Sequence, residues 1–354
     1  MKLPSVSPHA QATRTRIFRI ILRAVLCILL ALVLTIGGIA LSMQLTPRTF
    51  VGILRSSGIF SGKPEIPDFI AEKADLVTVV NDLTYPSDYA SNTLDIYYPS
   101  DGSAAKATVF WVHGGGFIDG DKSGITAFSM ALAQNGYAVV SINYALAPET
   151  TYPAPVIQLG DACRFILQNS AEYPQLSPDR LVFGGDSAGA QIASQFLALQ
   201  INPALQEKMG VAPLIPVEQI KAALLYCGPY NLTGFDNVES SFMKLFVQQI
   251  GWAYFGSKDW RNTPAALEVS TVDFVGANYP AAFITDGNLG SFEAQGKQLA
   301  EALRQNGVPV QDLFYAADEI VLPHEYQFNY EDYAPQAREC LEQTLAFLDG
   351  AVGE

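Results

Sequence analysis

The stretch RLVFGGDSAGAQIASQFLAL, residues 180–199, constrains this chain more than any other. An apolar, β-branched run stops at two glycines, and a helix of small residues opens immediately after Ser187. Gly185 and Gly189 stand two residues either side of the serine. Glycine is the residue that leaves room for a neighbouring chain to come close, so this spacing suits a hydroxyl held on a sharp strand-to-helix elbow. A plain strand-to-helix turn carries the same letters. The rest of the chain has to decide between the two.

The elbow belongs to a repeating rhythm. Short apolar segments TLDIYYP, ATVFWVHGGG, YAVVSINY, RLVFGGD, IKAALLYCG, AAFITDG and VQDLFYA read as strands ended by turn residues. Helical patterns lie between them at about 123–135, 155–170, 188–200, 291–306 and 335–349. Strands apolar on both faces and alternating with helices predict an α/β fold with a mostly parallel central sheet and helices on both faces. One connection breaks the rhythm. Residues 229–278 run long and carry Phe235, Phe242, Phe246, Trp252, Tyr254, Phe255 and Trp260, which predicts a helical lid over a ligand crevice. A satellite core is the plainer reading of the same aromatics.

Ahead of this domain, Ala24 to Met43 contains no charged residue, and twenty residues at 1.5 Å each span roughly the 30 Å of a bilayer's hydrocarbon core. Lys2, Arg14, Arg16, Arg19 and Arg23 precede the run, and no acidic residue occurs before Glu65. The expected division is a cytoplasmic basic segment (1–23), a membrane anchor (24–43), a stalk or cap segment (44–75) and a catalytic-type domain (76–354) lying outside the membrane. Ala40-Leu41-Ser42 also fits a signal-peptide cleavage site, which leaves secretion as the alternative. Five of the 21 basic residues and none of the 35 acidic ones lie in the N-terminal segment, so the remainder carries 16 against 35, a net −19. A surface that acidic excludes nucleic acid as a partner and suits neutral or cationic small molecules. Of the four cysteines, Cys27 lies in the apolar run, and Cys163, Cys227 and Cys340 form no CxxC, so neither a metal knuckle nor a dithiol redox site is indicated. The contexts of Cys163 and Cys227 read as buried thiols.

A serine hydroxyl needs a base to take its proton and donors to stabilise the oxyanion. The chain has three histidines. His9 precedes the apolar run and His113 belongs to the glycine segment HGGGF, leaving His324, in VLPHEYQF after the last expected strand, as the base. In HGGGF, consecutive glycines let backbone N–H groups turn toward one point. Gly115 and Gly116, with the N–H of Ala188, make a three-donor oxyanion hole.

HGGGF, INYALAPETTYPAPVIQLGDACRFIL and SPDRLVFGGDSAGAQIA, in this order, resemble the carboxylesterases of the hormone-sensitive-lipase-like group within the α/β-hydrolases, from about Leu94 to the C-terminus. The resemblance implies a Ser187 nucleophile, a His324 base and an acyl-enzyme hydrolysed by water, with no metal or organic cofactor. The chain departs from the family at the acid. The usual position falls near Asn288, which carries no charge; Asp286 is the nearest carboxylate and is taken as the acid, with Asn288 and Glu293 as alternatives. Asp161 matches a structural position of the family. The expected activity is hydrolysis of small-to-medium carboxylic esters. The alternatives are a serine peptidase on the same fold, disfavoured because no propeller fits between anchor and first strand, and a non-catalytic binding protein that lost its acid.

Overall fold

The computed structural model describes residues 8–60, 65–237 and 240–353. Eight strands, β1 (Val77–Thr84), β2 (Thr93–Pro99), β3 (Thr108–Val112), β4 (Ala138–Ile142), β5 (Leu181–Asp186), β6 (Ile220–Tyr226), β7 (Ala281–Thr285) and β8 (Val310–Leu313), form one sheet. Their order is β1-β2-β4-β3-β5-β6-β7-β8. The β1–β2 and β2–β4 pairs are antiparallel, and every pair from β4 to β8 is parallel. The seven expected strands are all present. The eighth, β1, escaped because Asn81-Asp82 interrupts its apolar pattern: Asp82 takes a φ of 58° at a register shift, an edge-strand bulge. Lys122, buried, ties that bulge to the sheet, 2.8 Å from both Asp82 and Asp95.

The helices are α1 (Pro8–Leu45), α2 (Arg48–Ser57), α3 (Asp68–Ala71), α4 (Thr126–Gln134), α5 (Ala154–Gln168), α6 (Ala188–Ile201), α7 (Pro203–Met209), α8 (Ser241–Phe255), α9 (Pro264–Glu268), α10 (Glu293–Gln305) and α11 (Ala334–Gly353). Side chains alternate across a strand, so β3 sends Phe110 and Val112 to one face and Val109 and Trp111 to the other. The first face packs on α5, α6 and α10, with Phe110 stacked on Phe183 at 5.2 Å. The second packs on α4 and α11, around Trp111, Phe128, Tyr226 and Phe283. Strands walled on both sides bury continuous apolar runs, which is why they read as such in the sequence.

α1 is one continuous helix that extends the expected apolar run at both ends, and Arg16 to Leu41 are exposed all round. Its segment Arg16–Leu45 is long and apolar enough to cross a membrane and fits either a membrane anchor or a signal sequence. The segment expected as a stalk or cap carries α2 and α3, with Phe50, Val51 and Leu54 of α2 and Ile70 of α3 buried. Among its described residues, the 229–278 connection folds into α8, α9 and three short 3-10 turns. Its Val247, Ile250, Ala253, Tyr254 and Trp260 join the main core, the plainer of the two readings of its aromatics.

Candidate active site

Ser187, the HGGGF segment, Asp286 and His324 all follow carboxyl ends of parallel strands, where an α/β sheet leaves its crevice. Ser187 sits between β5 and α6 with φ 51° and ψ −118°, a backbone state that costs a non-glycine residue of order 1–3 kcal/mol. The neighbouring glycines are steric requirements. A Cβ on Gly189 would come within 1.9 Å of Val112 O, and one on Gly185 within 2.5 Å of the Gly189 backbone.

His324 reaches the elbow from the loop after β8. Its Nε2 lies 2.9 Å from Ser187 Oγ and its Nδ1 2.5 Å from Ser291 Oγ. Ser291 in turn donates a very short hydrogen bond to Asp286 Oδ1, and Phe292 N donates to Oδ2 at 3.1 Å. A serine has one proton to give. Ser291 gives it to Asp286, so its oxygen accepts from His324 Nδ1–H, and that tautomer leaves Nε2 free to accept from Ser187. Burial raises the Asp286 carboxyl to about 6, with the His324 charge, Ser291 and Cys227 acting in the opposite sense. Burial lowers His324 below its usual value while Asp286 raises it, so the imidazole is neutral, as a base must be.

The alternatives for the acid lie elsewhere. Asn288 donates to Tyr315 O and Ile320 O at 3.1 and 2.9 Å and accepts from Leu322 N at 3.0 Å. It fastens the loop that carries His324 and makes no contact with the imidazole. Glu293 pairs with Lys297 on the surface of α10, and Asp161 pairs with Arg164 on α5.

Gly115 and Gly116 take φ values of +100° and +61°, and a Cβ on Gly115 would fall 2.1 Å from Asp119 O. Among the described residues their N–H groups donate to no protein acceptor, and Ala188, first in α6, has an N–H with no intrahelical partner. His113 builds the loop rather than acting on substrate. It is buried, stacked on Tyr144 at 4.5 Å and bonded through Nδ1 to Gly114 O at 2.7 Å. Burial pulls its pKa down to about 4, so it stays neutral.

Two site groups carry no signal that sequence patterning had flagged: Ser291 and the carboxyl pair Asp186–Glu325. Asp186 accepts from Trp111 Nε1 and Gly114 N, both at 2.7 Å. Glu325, at a φ of 61°, hydrogen-bonds to Asp186 and places Oε1 3.6 Å from His324 Nε2. Burial raises Asp186 well above the carboxylate range, with repulsion from Glu325 second, and raises Glu325 to about 7. The pair therefore holds a proton between its members near neutrality. Among the described residues, Cys227, Asp286 and His324 bring metal-type donor atoms within 4.8 Å of one another. Burial pushes the Cys227 thiol up, away from the thiolate a metal needs, and both histidine nitrogens are engaged, so this donor set suits a hydrogen-bond network better than a cation.

A family model, BD-FAE, matches residues 94–303, from β2 through most of α10. The chain belongs to the BD-FAE family. Esterase LipQ of Mycobacterium tuberculosis is 26% identical to this BD-FAE member over 255 residues, 70% of this chain and 58% of LipQ. An acetyl esterase of Salmonella agona is 35% identical over 109 residues, 30% of this chain and 33% of its own. The chain thus spans less than two thirds of these relatives' length. Esterase B from Lactobacillus Rhamnosis superposes with a TM-score of 0.72 at 19% identity, covering 90% of this chain and 96% of the other. The fold of this BD-FAE protein is that of the α/β-hydrolases, as its motifs led one to expect.

Proposed function

We propose that this BD-FAE protein is a serine carboxylesterase hydrolysing small-to-medium carboxylic esters through an acyl-enzyme on Ser187. The observation that carries the proposal is the 2.9 Å contact from His324 Nε2 to a serine hydroxyl held on a strained elbow. Ser187 Oγ attacks the ester carbonyl as His324 Nε2 takes its proton. The N–H groups of Gly115, Gly116 and Ala188 receive the oxyanion, one such donor contributing about 2.7–4 kcal/mol to the transition state. His324 then returns the proton to the leaving alcohol, and water repeats the sequence on the acyl-enzyme. Asp286 acts through Ser291, holding the Nδ1–H tautomer and stabilising the imidazolium.

The names of the similar proteins support an ester over a peptide bond. A cleft of about 1100 Å³ opens beside Gly114, Gly115 and His324, with Glu65, Asp119, Asp121 and Glu331 on its walls, which favours neutral or cationic alcohols over anionic ones. The all-round exposure of Arg16 to Leu41 supports a single-pass anchor over a soluble helix, and the basic flank supports a cytoplasmic N-terminus with the catalytic domain outside. Protease added to intact spheroplasts should then digest the catalytic domain; digestion only after lysis refutes that orientation.

The chemistry is tested by fluorophosphonate labelling and by hydrolysis of p-nitrophenyl esters of graded chain length. Ser187→Ala is expected to abolish labelling and to lower kcat by about 10⁴-fold or more, with circular dichroism unchanged. A folded variant that keeps its activity overturns the assignment, and an unlabelled wild-type protein means a non-catalytic fold.

A further inference from the structure

Resting on the esterase and anchor readings above, we propose that α2 and the lid helix α8 form a membrane-level entrance, through which the acyl chain of a bilayer-resident lipid ester passes to Ser187. Three observations join here. First, the end of α1 is fastened to the lid. The carbonyls of a helix's last turn have no intrahelical partner. That of Met43 accepts from Gln249 Nε2 of α8 at 3.1 Å, and that of Gln44 accepts from Lys258 Nζ, just beyond α8, at 2.9 Å. Lys258 also places a positive charge where the helix dipole favours one.

Second, α2 bridges the membrane end to the oxyanion loop. Ser42 of α1 and Thr49 of α2 share a hydrogen bond of 2.5 Å. Arg55 of α2 donates to Ile118 O at 2.7 Å and to Ala147 O at 3.0 Å, and pairs with Glu149 at 2.8 Å. Ile118 follows HGGGF directly.

Third, an aromatic wall runs from the oxyanion glycines to the surface. Phe246 Cζ lies 3.9 Å from where a Cβ on Gly116 would stand. Around that ring, at centroid distances of 6.3 to 6.4 Å, sit Phe50, Phe60 and Phe242. The outer end of the wall is open: Phe242 is 61% exposed, and Ile59, next to Phe60 in the chain, 67%. At 1.5 Å per residue, Phe242 stands only about 10 Å along α8 from Gln249, which holds the anchor. An apolar rim fixed that close to the end of a membrane helix rests at the headgroup layer of the same bilayer. The bilayer is therefore its occupant, and an ester already dissolved there is delivered acyl chain first.

The full chain, reconstituted in phosphatidylcholine vesicles containing 1,2-dioleoylglycerol, tests this against p-nitrophenyl acetate in bulk water. In the paired variant I59D/F242D, the ratio of dioleoylglycerol to p-nitrophenyl acetate turnover is expected to fall roughly tenfold or more, the effect of losing one well-buried aromatic from an apolar phase. Phe242→Leu should keep the ratio near wild type. An unchanged ratio in I59D/F242D, or equal loss on both esters, overturns the entrance. So does a change in oligomeric state caused by I59D/F242D in detergent, which makes the rim a contact between copies. Two other failures are separable: wild type that does not co-float with vesicles refutes the anchor, and wild type inert toward p-nitrophenyl acetate refutes the esterase.

Discussion

Ser291→Ala is the change that most directly tests how His324 is held. The variant deletes an oxygen that accepts from His324 Nδ1 at 2.5 Å and donates to Asp286, and leaves the rest of the loop in place. The Nδ1–H bond matters most when the imidazole is positive, so the loss falls on the chemical step. A hydrogen bond to a charged group is worth about 1.5–3 kcal/mol. At about 1.4 kcal/mol per factor of ten, kcat should drop roughly 10- to 150-fold while KM stays near wild type. Asp286→Asn removes the charge itself and should cost more, toward the roughly 10⁴-fold loss known for that change in the serine-protease template. Because the two groups act in series, Ser291→Ala combined with Asp286→Asn should be little worse than Asp286→Asn alone. Ser291→Thr, which restores a hydroxyl, should recover most of the loss. The assay is kcat and KM on p-nitrophenyl acetate for all four proteins, with folding checked by circular dichroism. A Ser291→Ala enzyme with wild-type kcat, or two single losses that multiply, refutes the chain from Asp286 through Ser291 to His324.

The raised Glu325 and Asp286 carboxyls set a pH dependence with a definite sign. A group whose folded pKa lies above its unfolded value stabilises fully below the unfolded pKa and loses that contribution as pH rises through the folded one. The Tm is therefore expected to fall as pH rises from about 5 to 8, through the 6 and 7 to which desolvation lifts Asp286 and Glu325, and Glu325→Gln should flatten the decline; a Tm profile identical in wild type and Glu325→Gln refutes the proton-sharing pair. Asn288→Asp puts an acceptor against the carbonyls of Tyr315 and Ile320, so it should lower both Tm and kcat, and a gain in activity means that residue 288 is the acid after all.

The sheet was legible because its strands are buried on both faces and therefore read as plain apolar runs, and the elbow because Gly185 and Gly189 are demanded by backbone contacts as close as 2.5 and 1.9 Å. The placement of His324 beside Ser187 was legible by elimination among three histidines. β1 was not, because an edge strand need bury only part of one face and a bulge at Asp82 breaks its period. The packing of α2 was hidden for a related reason. α2 buries only Phe50, Val51 and Leu54, a stripe too short to outweigh the Gly and Pro around it, and its partner α8 lies nearly two hundred residues away.

The acid shows where residue counting stops. Asp286 and Asn288 are two residues apart on one loop, and spacing along the chain aligns Asn288 with the family's acid. Spacing does not say which way a loop side chain points. Here Gly287 lies between them, so close to the histidine loop that a Cβ would fall 2.1 Å from Pro323 O. Leu289 N bonds to Leu322 O at 2.9 Å just beyond. With the two loops pressed together at that point, Asn288 is spent on Tyr315, Ile320 and Leu322, and Asp286 turns to the other side, toward Ser291. The neutral residue became the fastener and the charged one the partner, because a carboxylate at 288 would keep the Leu322 donor but set its other oxygen against two carbonyls with no proton to offer, whereas an amide donates to both. Chemistry at the atom level makes a choice that the spacing left open.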